Sequence, residues 1–497
     1  MIRKILTLTM TIVVAICSIC SLSATAYAAS TNGIQGGQPY GDDGTIYLTD
    51  SVATAMKQSG AGIVRVLFRL GNCTTDSAEW YAAYDQIVNN LTSKGITVIG
   101  VLNGELISGY NQNDWCANNV ENGGTNGYND FIDTFGYMCA RVASHFNGIV
   151  KKWEVWNEPD CWSQHPTSTV YTGGSFMYPS NFQALLGHIY TQLKYYNNFD
   201  CEIISGGLFG HDISGKSQAN SGANYLDSTY SMGINYGSWS WINGTVGTYP
   251  LDHIGSHIYI SQGETVASSD ITNYCNWMKD AYTYYEGGAT NKKLFVTEYG
   301  WQTPVTYGVS EAVQATNITT CLNAFNSLSY IGGTDLFFLQ DIEVAGLCYG
   351  IFRQSGLSGS DKKTGWTNFN FKTSEEGQYS NGAIDTGIRD HFNNNGGMVS
   401  FGLPFDNGGT KWVHSFNGNP SQDYRGGSYD YTLMISSSSG TYRIVCGFRD
   451  AYLYTADNAQ LVAPVNNEYK YGAGTRQDFV GGYMTWDPTN STQIFYY

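Results

Sequence analysis

The chain has 497 residues, more than one ordinary domain needs, and carries 41 acidic against 25 basic side chains for a formal net charge of −16. That balance argues against nucleic acid or an anionic membrane as partner. Only 13% of residues are charged, whereas tyrosine (38), tryptophan (12) and glycine (59) are abundant, a composition suited to neutral ligands held by stacking and hydrogen bonding.

Residues 1–29 open with Arg3 and Lys4, continue as a mostly apolar run from Ile5 to Leu22, and end near Ala26-Tyr27-Ala28. This is the pattern of a secretory signal peptide, with cleavage expected after Ala28 or Ala29 and a secreted product, extracellular or cell-wall associated, with no membrane partner after cleavage. Cys17 and Cys20 fall in that leader and leave an odd number of cysteines beyond it, so not all can pair internally. Cys73, Cys116 and Cys161 follow the second, third and fourth predicted strands, and a Cys73–Cys116 link tying the mouth loops is the expected pairing. No CxxC pair occurs downstream and the histidines are scattered, so no metal or other cofactor is expected.

From about residue 33 to 342, short apolar runs alternate with segments of helical period. "GIQGGQ" at Gly33 is the first run, followed by "GIVRVLF" at Gly62, "ITVIGVL" at Ile96, "VKKWEVW" at Val150, "CEIISGG" at Cys201, "DHIGSHIYI" at Asp252, "KKLFVTE" at Lys292 and "TDLFFLQ" at Thr334. Between them one helix carries Trp80, Tyr84, Ile87, Val88 and Leu91 on one face. Another has Ser180 as N-cap and a stripe of Phe182, Leu185, Leu186, Ile189 and Leu193. Eight strands with intervening helices predict an α/β TIM (β/α)8 barrel over residues 30–383. An open nucleotide-binding sheet is disfavoured, because no GxGxxG turn follows the first strand.

After Arg353 the stretch "RQSGLSGSDKKTG" reads as the exit from the barrel or a long surface loop. Residues 384–497 then contain an internal duplication. "IRDHF" at Ile388 matches "FRDAY" at Phe448, "FGLP" ending at Pro404 matches "LVAP" ending at Pro464, and "QDYRGGSY" at Gln422 matches "QDFVGGYM" at Gln477. This tail resembles the LGFP-type repeats of secreted bacterial proteins, in two copies. It holds no carboxylate pair, so a binding or attachment role toward cell wall or insoluble glycan is expected.

The chemistry concentrates in "WEVWNEPD", residues 153–160, and "LFVTEYGW", residues 294–301. Strand alternation puts Glu154, Trp156 and Glu158 on one face, with Trp156 a candidate substrate contact and Glu158 at the C-terminal mouth where barrel active sites sit. Glu154, two pleats deeper, needs a buried partner, for which Arg65 is available. Glu298 ends the seventh strand, across the barrel from Glu158. Two such carboxylates, about 5 Å apart, can act as acid and nucleophile in cleaving a glycosidic bond with retention. His257 and Tyr259 share a face of the sixth strand. Trp115, Trp162 and Trp301 lie near the mouth as candidate stacking platforms.

Asn157-Glu158-Pro159 after strand four and Thr297-Glu298 after strand seven resemble clan A of the glycoside hydrolases, and the match runs in order from residue 33 to 342. The resemblance implies a retaining enzyme acting on β-linked substrates, with Glu158 as acid/base and Glu298 as nucleophile. It further implies that Asn157 binds the hydroxyl next to the reacting carbon, that Arg65 keeps the nucleophile ionised, that Tyr259 hydrogen-bonds it, and that His257 contacts the sugar. Many clan members close the site with a tryptophan on strand eight. "TDLFFLQD" has none, which leaves Trp301, Phe338 or Gln340 for that place. A polysaccharide cut internally is favoured over a small glycoside. A transglycosylase using the same pair, and a noncatalytic carbohydrate-binding protein on a barrel scaffold, are the alternatives.

Overall fold

The computed structural model describes residues 31–116, 127–161, 175–210, 221–288, 290–303, 308–373, 376–381, 383–395, 400–404, 411–426, 429, 431–489 and 491–497. The predicted leader and Trp162 lie outside them. By its internal contacts the chain divides into a unit spanning Ser30–Ser374 and a second that includes Glu375–Tyr497.

The first unit is an eight-stranded parallel barrel. Its strands are β1 (Thr31–Ile34), β2 (Ile63–Phe68), β3 (Thr97–Leu102), β4 (Lys152–Asn157), β5 (Glu202–Gly207), β6 (Ile254–Ile258), β7 (Leu294–Tyr299) and β8 (Ile331–Leu336). The hydrogen-bonded order is β5-β4-β3-β2-β1-β8-β7-β6, and β1 joins β8 in parallel from Thr31 opposite Gly333 to Ile34 opposite Leu336. Closure between β5 and β6 is irregular, made by the isolated bridges Ile204 to His253 and Leu208 to Ser256 with backbone bonds such as His257 N–H to the Leu208 carbonyl, and β1 meets β2 at the single pair Gly33 and Ile63. Runs two to seven coincide with strands, whereas the first run overlaps β1 only at Gly33 and Ile34. The eighth strand starts three residues before its predicted run and stops at Leu336, so Phe337 to Gln340 belong to the loop above it.

The helices follow from the same alternation. α1 (Asp50–Gln58) and α2 (Ala78–Thr92) follow β1 and β2. In α2, Ser77 caps the amide of Trp80, and Trp80, Tyr84, Ile87, Val88 and Leu91 are buried. α3 (Gln112–Cys116) and α4 (Asp130–His145) precede β4, and α5 (Pro179–Tyr190) follows it. Ser180 is not the cap of α5. Tyr178 holds that position and Pro179 takes the first helical place, where its missing N–H costs nothing. α6 (Ala223–Asn235), α7 (Trp239–Val246), α8 (Ser268–Glu286) and α9 (Glu311–Asn326) complete the ring up to β8.

The stretch read as a barrel exit ends in an eighth helix, α10 (Thr364–Thr373), packed against α9. Its period is weak, but Trp366 and Phe369 are buried and the Trp366 indole donates to Ser59 Oγ at 3.1 Å. Inside the barrel, Ile63, Ile99, Ile204 and Phe295 form a small apolar plug. The polar groups described below stand above it.

The second unit contains two helix-and-sheet copies. The first has α11 (Thr386–Asn394) with an antiparallel sheet of β9 (Gly402–Pro404), β10 (His414–Phe416), β11 (Asn419–Gly426), β12 (Tyr431–Ser437) and β13 (Gly440–Val445). The second has α12 (Cys446–Tyr454) and α13 (Asn458–Leu461), with β14 (Tyr469–Tyr471), β15 (Gly474–Phe479), β16 (Gly482–Asp487) and β17 (Ser491–Tyr496). Gln422 opposite Met434 and Gln477 opposite Met484 occupy equivalent ladder positions, so the duplication in sequence is a duplication in register.

Candidate active site

Glu154 is fully buried inside the barrel. Its Oε2 accepts from Arg65 Nε at 2.6 Å, and its Oε1 from Arg65 Nη2 at 3.2 Å, the Gly207 amide at 2.8 Å and Thr297 Oγ1 at 3.2 Å. Arg65 also donates through Nη1 to Glu298 Oε1 and through Nη2 to Asn157 Oδ1, both at 2.6 Å. One guanidinium therefore locks two glutamates and the asparagine beside Glu158 in a single plane of donors. Burial opposes its charge, but Glu154 and Glu298 more than offset that and hold it firmly protonated.

The end of β4 departs from strand alternation. Trp156 has φ +78° and Glu158 φ +47°, left-handed conformations uncommon for side chains of this size. The first turns Trp156 out of the barrel. Its indole is fully buried against Trp115, Phe131 and Phe135, ring centroids 5.4 to 5.8 Å away, and donates to the Ser175 carbonyl at 2.6 Å. Trp156 is thus core and not a substrate contact, and Asn157 takes the inward place that alternation assigned to it.

Glu158 is partly exposed, and its Oε1 lies 2.8 Å from His257 Nδ1. Its loop is held across to β5. The Glu158 amide donates to the Gly207 carbonyl, and the Asp160 carboxylate accepts from the Phe209 and Gly210 amides at 2.8 and 2.7 Å. Burial pushes Asp160 up to about 6, those two amides partly countering it. Gly207 is required where it stands, because a Cβ there would come within 2.0 Å of His257 Nε2.

Glu298 is the penultimate residue of β7 and is 7% exposed. Besides Arg65 it accepts from Tyr259 Oη at 2.7 Å, and His257 Nδ1 lies 3.5 Å from its Oε2. Burial disfavours its charge, but the charges of His257 and Arg65 and the Tyr259 hydroxyl outweigh that and hold its carboxyl below the usual carboxylate range. Carboxylate oxygens of Glu158 and Glu298 and the Nδ1 of His257 all lie within 4.8 Å of one another. His257 is wholly buried between the two glutamates, so it cannot touch a sugar as expected. It acts on the carboxylates, and their charges raise its pKa despite the burial that would lower it.

Trp301 is likewise displaced from its expected role. It is fully buried, and its indole bridges the carbonyls of Ile260 and Ser261 at 3.1 Å each. Aromatic surface at the site comes from residues that sequence reasoning missed or misplaced by one. Phe209, Phe337 and Tyr349, each partly exposed, surround the Tyr259 ring with centroids 5.8 to 6.0 Å away, whereas Phe338 is buried. Gln340 is occupied in holding the carbonyls of Arg353, Gln354 and Gly356. Trp115 is partly buried against Trp156 and Phe131.

The cysteine expectation also fails. The nine described cysteines are all free thiols; Cys116 Sγ is directed at the Phe176 carbonyl 2.9 Å away, and Cys73 Sγ at Asn72 and the Tyr40 hydroxyl.

Comparison with family models and with curated proteins finds no match. Among solved structures the chain is similar to a family 39 glycoside hydrolase from the gut symbiont Bacteroides cellulosilyticus WH2, at 14% identity over 83% of this chain and 71% of that one, TM-score 0.46. It is also similar to an endo-1,4-beta-mannanase from Rhizomucor miehei (16% identity, 69% and 95% covered, TM-score 0.46) and to a GH10 xylanase from Bispora sp. MEY-1 with xylobiose (13%, 68% and 95%, TM-score 0.46). Identity this low leaves the chemistry to the site's own groups.

Proposed function

We propose that the chain is a secreted retaining β-glycoside hydrolase of the clan A type that cleaves a β-linked polysaccharide by double displacement. The observation that carries this reading is the pair Glu158 and Glu298, with oxygens within 4.8 Å at the mouth of one barrel and only one of them bound by Arg65. That closeness agrees with the carboxyl spacing of about 5 Å in retaining enzymes rather than the roughly 6.5–9.5 Å of inverting ones, and suits attack by one of them.

Glu298 is the nucleophile: a guanidinium and a tyrosine hydroxyl keep it ionised and aim its free lone pair at the anomeric carbon. Glu158 gives its proton to the leaving oxygen, then takes one from the water that cleaves the glycosyl-enzyme. His257, 2.8 Å from Glu158, shares a proton with it and stabilises both carboxylates as charge moves between them. Asn157 has its carbonyl oxygen committed to Arg65, which leaves its Nδ2 as the donor for a sugar hydroxyl. Phe209, Phe337 and Tyr349 supply apolar faces for the ring.

The reading is tested by product analysis on a panel of β-linked glycans, with proton NMR of the first sugar released. Retained β configuration is expected, and an initial α product refutes it.

The trio of Glu158, His257 and Glu298 also has the spacing of a cation site, but Arg65 and Tyr259 already occupy the Glu298 oxygens. Dialysis against a chelator is therefore expected to leave kcat unchanged; its loss, restored by one metal ion, would assign the trio a metal-dependent role.

Tyr259→Phe is expected to move the acid limb of the pH profile. A carboxylate held low loses its charge only as pH falls through the lowered value, so the parent limb lies below the ordinary 4.5. Without the hydroxyl the limb should move to higher pH.

A further inference from the structure

The two copies of the tail differ at the start of their helices. In the first, α11 is capped by Asp385, whose carboxylate accepts from the Ile388 amide at 2.9 Å. Beside that cap Thr441 donates to Ser436 at 3.0 Å, and Gly387 packs so closely on the pair that a Cβ there would stand 2.5 and 2.6 Å from their hydroxyls. The space above the helix start is filled.

In the second copy the glycine and threonine of this plug are kept, as Gly447 and Thr492, but its cap and its serine are replaced. Val445 stands where Asp385 would be, in extended conformation, and offers no side-chain acceptor to α12. Trp486 takes the ladder position of Ser436, opposite Thr492, the counterpart of Thr441. The Cβ built on Gly447 has only Thr492 Oγ1 near it, at 3.5 Å. A cavity of about 160 Å³ opens there, lined by the first turn of α12 with Glu468, Trp486 and Thr492, and Trp486 remains 43% exposed.

We propose that this cavity binds a single pyranose residue of a neutral glycan. The first turn of a helix presents amide donors and positive potential, which disfavours a cation. Glu468 beside it disfavours an anion. What satisfies both is an uncharged ligand with acceptors for the helix and donors for the carboxylate, and the Trp486 indole adds a plane for its apolar face. The choice of a sugar over other polyols rests on the glycoside hydrolase reading of the barrel. The tail would then hold the enzyme to its substrate through one residue at a time.

The test uses the full chain labelled with 5-fluorotryptophan and titrated with methyl β-pyranosides of glucose, mannose, galactose, xylose and N-acetylglucosamine. Acetate and tetramethylammonium serve as charged controls. The Trp486 fluorine signal is identified by its loss in Trp486→Phe. At least one glycoside is expected to shift it saturably and neither control should. Glu468→Gln should weaken that binding about tenfold. Val445→Thr, which matches valine in shape but caps α12, should weaken it several-fold without lowering Tm, an effect that misfolding cannot mimic. No shift with any glycoside, a shift with either control, or unchanged affinity in either variant overturns the proposal. A chain that hydrolyses no glycoside yet shows the Trp486 shift would refute the barrel reading and leave the pocket standing.

Discussion

Glu298→Ala is expected to lower kcat on polysaccharide by on the order of 10⁴ or more, because the covalent step then has no nucleophile. Glu158→Ala should act differently. Its loss removes the proton needed by a poor leaving group, so turnover of polysaccharide should fall about 10²- to 10⁴-fold. An aryl glycoside whose leaving group departs unprotonated should still form the glycosyl-enzyme, and azide should speed its breakdown. Steady-state rates on both substrate types, with and without azide, separate the two roles. Wild-type rates on polysaccharide from either variant would refute the assignment.

Arg65→Met should be the most damaging single change to stability. The side chain is 9% exposed and bonds Glu154, Glu298 and Asn157 together. Removing it leaves Glu154 with no cation inside the barrel, at a cost of about 3–5 kcal/mol. It also withdraws one of the two cations that keep Glu298 charged, so the residual activity should have its acid limb moved to higher pH. Arg65→Lys keeps the charge but cannot span three partners, and should recover only part of either loss. Denaturant midpoints and pH profiles measured on the same preparations check both parts. A Met variant as stable as the parent would mean that Glu154 is not the ionic anchor of the site.

Most of the barrel was legible as apolar runs because parallel strands buried on both faces leave that signature, and Glu158 and Glu298 were legible because they end such runs. Trp156 was not, because period-two alternation fails wherever a residue enters the left-handed region, and nothing in "WEVWNEPD" announces the turn at φ +78°. His257 and Trp301 were placed on the correct elements but given the wrong depth, since a sequence shows which face a residue takes and not how much lies above it. The eighth helix escaped because ten residues of weak period are held by Trp366 and Phe369 reaching across to other elements. Phe337 was missed for a smaller reason: β8 ends at Leu336, four residues earlier than its predicted run, so the side chains beyond it follow loop geometry.

The irregular closure between β5 and β6 has a consequence for how the protein fails on warming. Glu158 hangs from the β5 side through the Gly207 carbonyl, whereas His257 belongs to β6, so the 2.8 Å contact between them crosses the seam. The bridges Ile204 to His253 and Leu208 to Ser256, with the backbone bonds beside them, make that seam an irregular join, where β2 and β3 share a ladder of six residue pairs. Opening there separates Glu158 from His257 while the remaining strands stay paired. Heat inactivation should therefore run ahead of melting. Residual activity after brief incubation and cooling should be recovered in full at temperatures where assays run hot already show loss, and amides of Ser205, Leu208 and His257 should exchange with solvent sooner than those of β2 and β3.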